Sequence, residues 1–389
     1  MSFLARIGHP GTASCVLSGV VLFLAACAPV RPAINAASGP VQAGINEKIT
    51  PYQARFDRTR PVIAVVGDNR GTELSDFMVP YGVLSEANVA DVIAVSTQPG
   101  PMDTFTDLGV PAFRIVAQAT LSDFDGRYPN GADYVIVPAQ NPSAELLHWL
   151  ADQTSKGAVL VSICNGAMVV AKTGVMAGHR ATAHWSTESQ RLAQNSDIHW
   201  VKNARYVSDG NWVSSAGVSA AIPTSLALVE AIAGHGRAAS LAEEMGSGPW
   251  SPQHNSDAFH PRLTTTAWPL AKVAYTNGWF HGTDTLSVHS TPGMDEASLA
   301  LTVDAYSSTG RSRAYLVSSS EAGLLTRHGL TVLPDRTDRA PVAAGNAVTL
   351  SSVTPPAKAL DVALAGIMQR YDHATASGVA LVFEYPDFK

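Results

Sequence analysis

Charge, cysteine and long apolar runs are all scarce in this 389-residue chain. Charged residues make up 15% and hydrophobic ones 46%, which excludes a largely disordered protein and leaves material for a large core. Lys and Arg number 26 against 32 Asp and Glu, a net charge of −6. The basic surplus that nucleic-acid binding needs is therefore missing. Three cysteines cannot make a disulfide scaffold, and none stands in a CxxC pair for zinc. The single membrane-like run, residues 15–26, falls well short of the roughly 20 residues that cross a bilayer. A polytopic membrane protein is excluded.

What is present begins with an address. Arg6 precedes the short apolar run, and Leu24-Ala25-Ala26-Cys27 closes it. A basic start, an apolar stretch and small residues before a cut describe a secretory signal. This ending is similar to that of bacterial lipoprotein signals. The resemblance implies removal of residues 1–26, diacylation of Cys27, and an exported protein anchored to the cell envelope, facing the periplasm in a Gram-negative host. An ordinary signal peptide that holds a cysteine is the simpler alternative. Residues 27–60 contain Pro29, Pro32, Pro40 and Pro51, show no sustained periodicity, and read as a proline-rich tether. Cys164 is then the only thiol outside the lipid site, with no partner for an internal disulfide.

From Pro61 strands alternate with helices. VIAVVG (62–67) is a continuous apolar run, as in a strand covered on both faces. Residues 75–87 suit a helix that Pro80 threatens to break. DVIAVS (91–96), FRIVA (113–117), DYVIVPA (133–139), AVLVSI (158–163) and WVSSAG (212–217) read as strands. Ser143 and Gly157 bracket one helix, and Pro223 and Gly234 another. Repeated βαβ units predict a mainly parallel sheet between helical layers, with the active site at the carboxyl ends of its strands. GSGPW (246–250) marks a boundary. Residues 248–389 form a C-terminal α/β lobe with helices in ASLALTVDAYS and ALDVALAGIMQRY and a strand in RAYLVS. Laying Asp295-Glu296-Ala297-Ser298-Leu299 over Thr72-Glu73-Leu74-Ser75-Asp76 suggests a degenerate half-repeat, with Leu299 in place of Asp76. The lobe is expected to carry no chemistry of its own.

SICNG (162–166) puts a cysteine between a strand end and a helix start, with a small residue two before it and glycine two after. This is the spacing of a nucleophile elbow, a turn too tight for side chains at the flanking positions. The helix dipole would favour a thiolate, with a pKa falling from about 8.5 toward roughly 5–7. The Asn165 N–H would face an oxyanion. A structural cysteine behind a strand is the alternative.

Four segments in order, TELSDFMVPYGVL (72–84), DYVIVPA (133–139), SICNGAMVVAKTGVMAGHRATAHW (162–185) and DGNWVSSAGVSAAIPTSLALVEAIAG (209–234), carry a family likeness. Residues 61–247 resemble the ThiJ/PfpI superfamily of class I glutamine amidotransferase-like domains. The nearest branch holds isonitrile hydratase and the sensor domains of AraC-type regulators. The resemblance implies a flavodoxin-like three-layer α/β sandwich with Cys164 as nucleophile. It makes Asp76 the acid beside the cysteine, donating a hydrogen bond while protonated, and His184 a further site residue. The backbone of Asn165, Ala139 and Gln140 would line the oxyanion site. Asp76 as a helix N-terminal carboxylate and His184 as a packed histidine beside Trp185 stay open. Asn165 replaces the histidine of protease-like members, and Ala139-Gln140 replaces the usual Gly-Gly.

Other chemistries lack their signatures. No His-x-Glu pair follows WVSSAG, so glutaminase activity is not expected. Neither metal-ligand spacing nor a phosphate loop occurs, and neither cofactor nor metal is expected. The C-terminal 140 residues hold no basic recognition helix, which argues against a DNA partner. Two readings remain: a cysteine-dependent hydratase or hydrolase acting on a small-molecule electrophile, or a ligand-binding or redox-sensing lipoprotein without turnover. Either allows a homodimer.

Overall fold

The computed structural model describes residues 41–42, 47–319, 322–337, 344–386 and 388. The expected signal segment and Cys27 lie outside them. Residues Ser38–Lys389 form one compact unit.

Its centre is a seven-stranded sheet. We number the strands β1 (Val62–Gly67), β2 (Asp91–Ser96), β3 (Ala119–Thr120), β4 (Tyr134–Val137), β5 (Val159–Ser162), β6 (Tyr206–Asp209) and β7 (Trp212–Ser215). The spatial order is β6-β7-β5-β4-β1-β2-β3, parallel throughout except for the β6–β7 hairpin. The unbroken apolar runs follow from burial on both faces. Along β1, Ile63 and Val65 enter one core, and Val62, Ala64 and Val66 enter the other. Helices α1 (Leu74–Ala87) and α4 (Ala221–Ala233) cover the first face; α2 (Ala144–Ser155) and the short α3 (Gly166–Ala171) cover the second. The fold is therefore the mixed α/β sandwich with a mainly parallel sheet that the pattern predicts.

Local signals place most ends. The Ser143 hydroxyl accepts from Leu146 N–H at 3.2 Å to start α2, and Gly157 follows its end at φ 85°. Pro80 does not break α1, which runs through it fully buried. The strand expected at 113–117 does form, but outside the parallel sheet. Pro111–Val116 pairs antiparallel with Pro101–Phe105 and Thr331–Leu333. Its alternating burial suits a sheet with one covered face.

Residues 47–60 lie against the domain rather than forming the end of a tether. Glu47 is buried and paired with Arg180, Tyr52 N–H donates to Ala231 O at 2.8 Å, and Arg58 pairs with Asp133 at 2.7 Å.

The C-terminal region holds a second parallel βαβ unit, β8 (Asp284–His289), α5 (Glu296–Ser307) and β9 (Ser312–Ser318). Helix α5 packs antiparallel on α1: Ser75 faces Asp304, and Gly82 faces Glu296. Leu299, Ala300 and Val303 share one core with Phe77, Leu84 and Leu228. Residue 247 thus divides topologies but not cores. The echo between halves is real in capping, one residue away from the expected alignment. Glu73 caps α1 by accepting from Asp76 N–H, and Asp295 caps α5 by accepting from Ser298 N–H. Ser298, not Leu299, stands at the place of Asp76.

Candidate functional site

The turn after β5 carries Cys164 at φ 53°, a left-handed conformation that costs a side-chain residue about 1 kcal/mol. Three backbone bonds hold it there. Ile163 N–H donates to Val137 O, Cys164 N–H to Ala216 O and Gly166 N–H to Ile163 O, at 3.0, 3.1 and 2.7 Å. Two neighbouring strands therefore grip the turn from both sides. Such strain persists only where the surroundings over-determine it. The elbow expected from SICNG is present.

Its thiol is wholly buried. Burial pushes the Cys164 pKa well above its usual value, and Asp76, Asp107 and Glu73 push in the same direction. The expected fall toward a thiolate is thus reversed. Helix α3 is only six residues long, and its dipole cannot offset desolvation together with acidic neighbours. The Asn165 backbone N–H, beside the sulfur, acts in the opposite direction but is the smallest of these effects.

Asp76 is buried at the start of α1. Its Oδ2 accepts from Ala139 N–H at 3.0 Å, so that expected oxyanion donor is occupied. Among the described residues its Oδ1 meets no N–H or hydroxyl donor, and its carboxyl lies against that of Glu73. Gln140 faces Thr72 across an isolated bridge; its side chain accepts from Asp68 N–H at 2.7 Å and donates to Val66 O at 3.3 Å. It ties loops together.

His184 is buried, with Nε2 donating to Val382 O at 2.7 Å and Nδ1 2.7 Å from Ser186 Oγ. Since the carbonyl must accept, the proton sits on Nε2. Burial lowers its pKa. Both nitrogens are engaged away from Cys164, and the ring packs on Trp185 with centroids 5.4 Å apart. This is the packed-histidine arrangement.

Residues that the sequence did not single out complete the surroundings. Asp304, from α5, accepts from Ser75 Oγ at 2.7 Å and from Asp107 N–H at 3.0 Å, and its carboxyl faces that of Glu73. Two carboxyl groups face to face need a shared proton. Burial, reinforced by their mutual repulsion, holds Glu73, Asp76 and Asp107 well above the usual carboxylate range and raises Asp304 as well. Arg191 is buried and within electrostatic reach of Cys164, its own pKa lowered to about 10 by burial. Glu384 accepts from His254 Nε2 at 2.7 Å and from Trp185 N–H at 2.8 Å. Burial opposes its charge, but His254 and His184 hold its pKa below the usual value. Asp304 and Glu384 both belong to the C-terminal region, which therefore does supply polar groups to this neighbourhood. An acid inside the apolar run of ASLALTVDAYS was the one available signal for Asp304. Glu384 offered none.

Among the described residues, no group of three or more His, Cys, Asp or Glu is arranged to hold a metal, and no helix is long and apolar enough to cross a membrane. The DJ-1/PfpI family profile matches residues 62–231. Protein DJ-1beta of Drosophila melanogaster is 25% identical over 180 residues, 44% of this chain and 90% of that protein. Its crystal structure aligns with a TM-score of 0.43 at 23% identity, over 49% of this chain and all of that one. Isonitrile hydratase of Pseudomonas putida is 30% identical over 90 residues, 23% of this chain and 38% of that enzyme. A deglycase of Pyrococcus abyssi is 38% identical over 61 residues, 16% of this chain and 35% of that enzyme. The match to these two enzymes thus covers little more than a third of their length. Residues 62–231 are a domain of the DJ-1/PfpI family, in a chain that continues into a further α/β region.

Proposed function

We propose that Cys164 adds as a neutral thiol to an electrophilic carbon of a small molecule, with Asp76 as proton acceptor. The observation that carries this reading is the buried Asp76 carboxyl, one oxygen fixed by Ala139 N–H and the other meeting no N–H or hydroxyl donor among the described residues. As the sulfur–carbon bond forms, the thiol proton passes to Asp76 and then to the substrate atom that takes up the electron pair. Water adds to the same carbon, the sulfur–carbon bond breaks, and a proton returns to sulfur. The net reaction is hydration, and no cofactor enters it. Amide hydrolysis fits less well, because it needs N–H donors for an oxyanion, while Ala139 N–H is already held by Asp76. Isonitriles, whose carbon takes the proton directly, and carbonyl compounds, whose oxygen takes it, are the favoured substrate class.

The test is the rate of Cys164 alkylation by iodoacetamide against pH. In the native protein the rate should climb as Asp76 ionises, above the ordinary carboxylate range and before the thiol ionises by itself. Asp76→Asn keeps an oxygen for Ala139 N–H but accepts no proton. It should slow the reaction at neutral pH by about 100-fold and leave only the later rise as the thiol itself ionises, above the ordinary thiol range. An unchanged profile rejects Asp76 as the base.

Binding without turnover is the second reading, and the complete burial of Cys164 favours it. An adduct that accumulates with no product released would establish it.

We also propose that the chain is exported and anchored through a lipid on Cys27, on the strength of Leu24-Ala25-Ala26-Cys27. Cys27→Ala should abolish fatty-acid labelling and leave the precursor uncut. Labelling retained in that variant rejects the anchor.

A further inference from the structure

We infer that the aromatic face of residues 263–280 docks on a lipid surface. The segment forms consecutive helical turns, Ala267–Ala271, Lys272–Thr276 and Asn277–Phe280. Its inner face is accounted for. Leu270, Val273 and Asn277 are buried, Pro269 and Val273 close on Gly378, and Asn277 Nδ2 donates to Thr309 O at 2.7 Å. The outer face is not. Leu263 is 97% exposed, Trp268 60%, Tyr275 61%, Trp279 75% and Phe280 76%. Tyr275 and Trp279 stand four residues apart at the C-terminal end of the segment and share one side of it. Tyr275 and Trp279 lie 6.1 Å apart between centroids.

Large apolar side chains scattered singly need no explanation, but a contiguous patch marks an interaction site. Composition selects the partner. Trp, Tyr and Phe with Leu are the residues that settle at the headgroup level of a bilayer. Protein–protein interfaces share these aromatics but add Arg and Met, and residues 263–280 contain neither. The single cation, Lys272, is bound to Asp372 at 2.5 Å. With no free charge to select an anionic partner, a neutral lipid interface is the matching surface. A lipid on Cys27 would keep the body near such a surface, and to that extent this inference rests on the Cys27 reading. Val41, which pairs with Val201, follows Cys27 by fourteen positions, a reach of at most about 50 Å. A tethered body would meet the bilayer at high effective concentration, where weak aromatic docking suffices.

The test uses the compact unit Ser38–Lys389, which lacks Cys27 altogether, mixed with phosphatidylcholine vesicles. The protein should float with the vesicles, and lipids brominated in the acyl chain should quench its tryptophan emission. A triple variant, Trp268→Ser with Trp279→Ser and Phe280→Ser, should bind at least tenfold less lipid with unchanged thermal unfolding, because all three side chains are exposed. No quenching of the unaltered protein at millimolar lipid overturns the inference. So does a sedimentation mass that shows a dimer of the unaltered protein and a monomer of the variant, which would assign the patch to a second copy. Fatty-acid labelling of the full chain reports on Cys27 separately, so failure of the anchor and failure of the patch are distinguishable.

Discussion

Cys164→Ser is expected to abolish covalent adduct formation and to lower any turnover by at least about 1000-fold, with the fold retained. The reasoning starts from proton transfer. A thiol whose pKa is raised by burial still ionises far more readily than an alcohol, so Asp76 can take the sulfur proton but not the serine proton. The fold should survive because serine is the smaller side chain and keeps the three backbone bonds that hold the turn. A destabilisation of about 1 kcal/mol is the expected scale. Intact-mass spectrometry after exposure to a panel of isonitriles and aldehydes reads the adduct, and thermal unfolding reads the fold. Adducts of equal mass and yield on the serine variant would show that the reacting group lies elsewhere.

Gly166→Ala should have the largest effect on stability of any single methyl added to this domain. A Cβ at this position would stand 1.9 Å from Val137 O and 3.0 Å from Pro138 C. Both are backbone atoms, so no side chain can swing aside. Relief requires separating the start of α3 from the end of β4, the two elements that place Cys164 and Ala139. Overpacking of this kind costs about 3 kcal/mol or more. Denaturant unfolding should show the midpoint falling, and alkylation of Cys164 should accelerate as the turn loosens and the sulfur becomes reachable. A variant with the parent midpoint would mean that the close approach of α3 to β4 is not needed.

Local chemistry accounts for most of what the sequence determined by itself. The parallel sheet was legible because strands covered on both faces must be apolar at every position, as VIAVVG and DVIAVS are. The elbow was legible because tight strand-to-helix turns tolerate few residues, and SICNG meets that demand. The caps at Ser143, Gly157 and Gly234 follow from orphan backbone groups at helix ends. The charge state of the site belongs to tertiary structure. Whether Cys164 is a thiolate depends on solvent and neighbours, and the deciding neighbours are Asp76, Asp107 and Glu73. Asp304, 140 residues from Cys164 in the chain, reaches this acidic group only because α5 lies antiparallel on α1. Glu384 meets His184 only because the chain returns to Gly217, where an added Cβ would come 2.6 Å from the His184 ring and 3.1 Å from Glu384 Cγ. Backbone periodicity is a property of neighbours along the chain, and desolvation is a property of neighbours in space; the first is written in consecutive residues and the second exists only after folding.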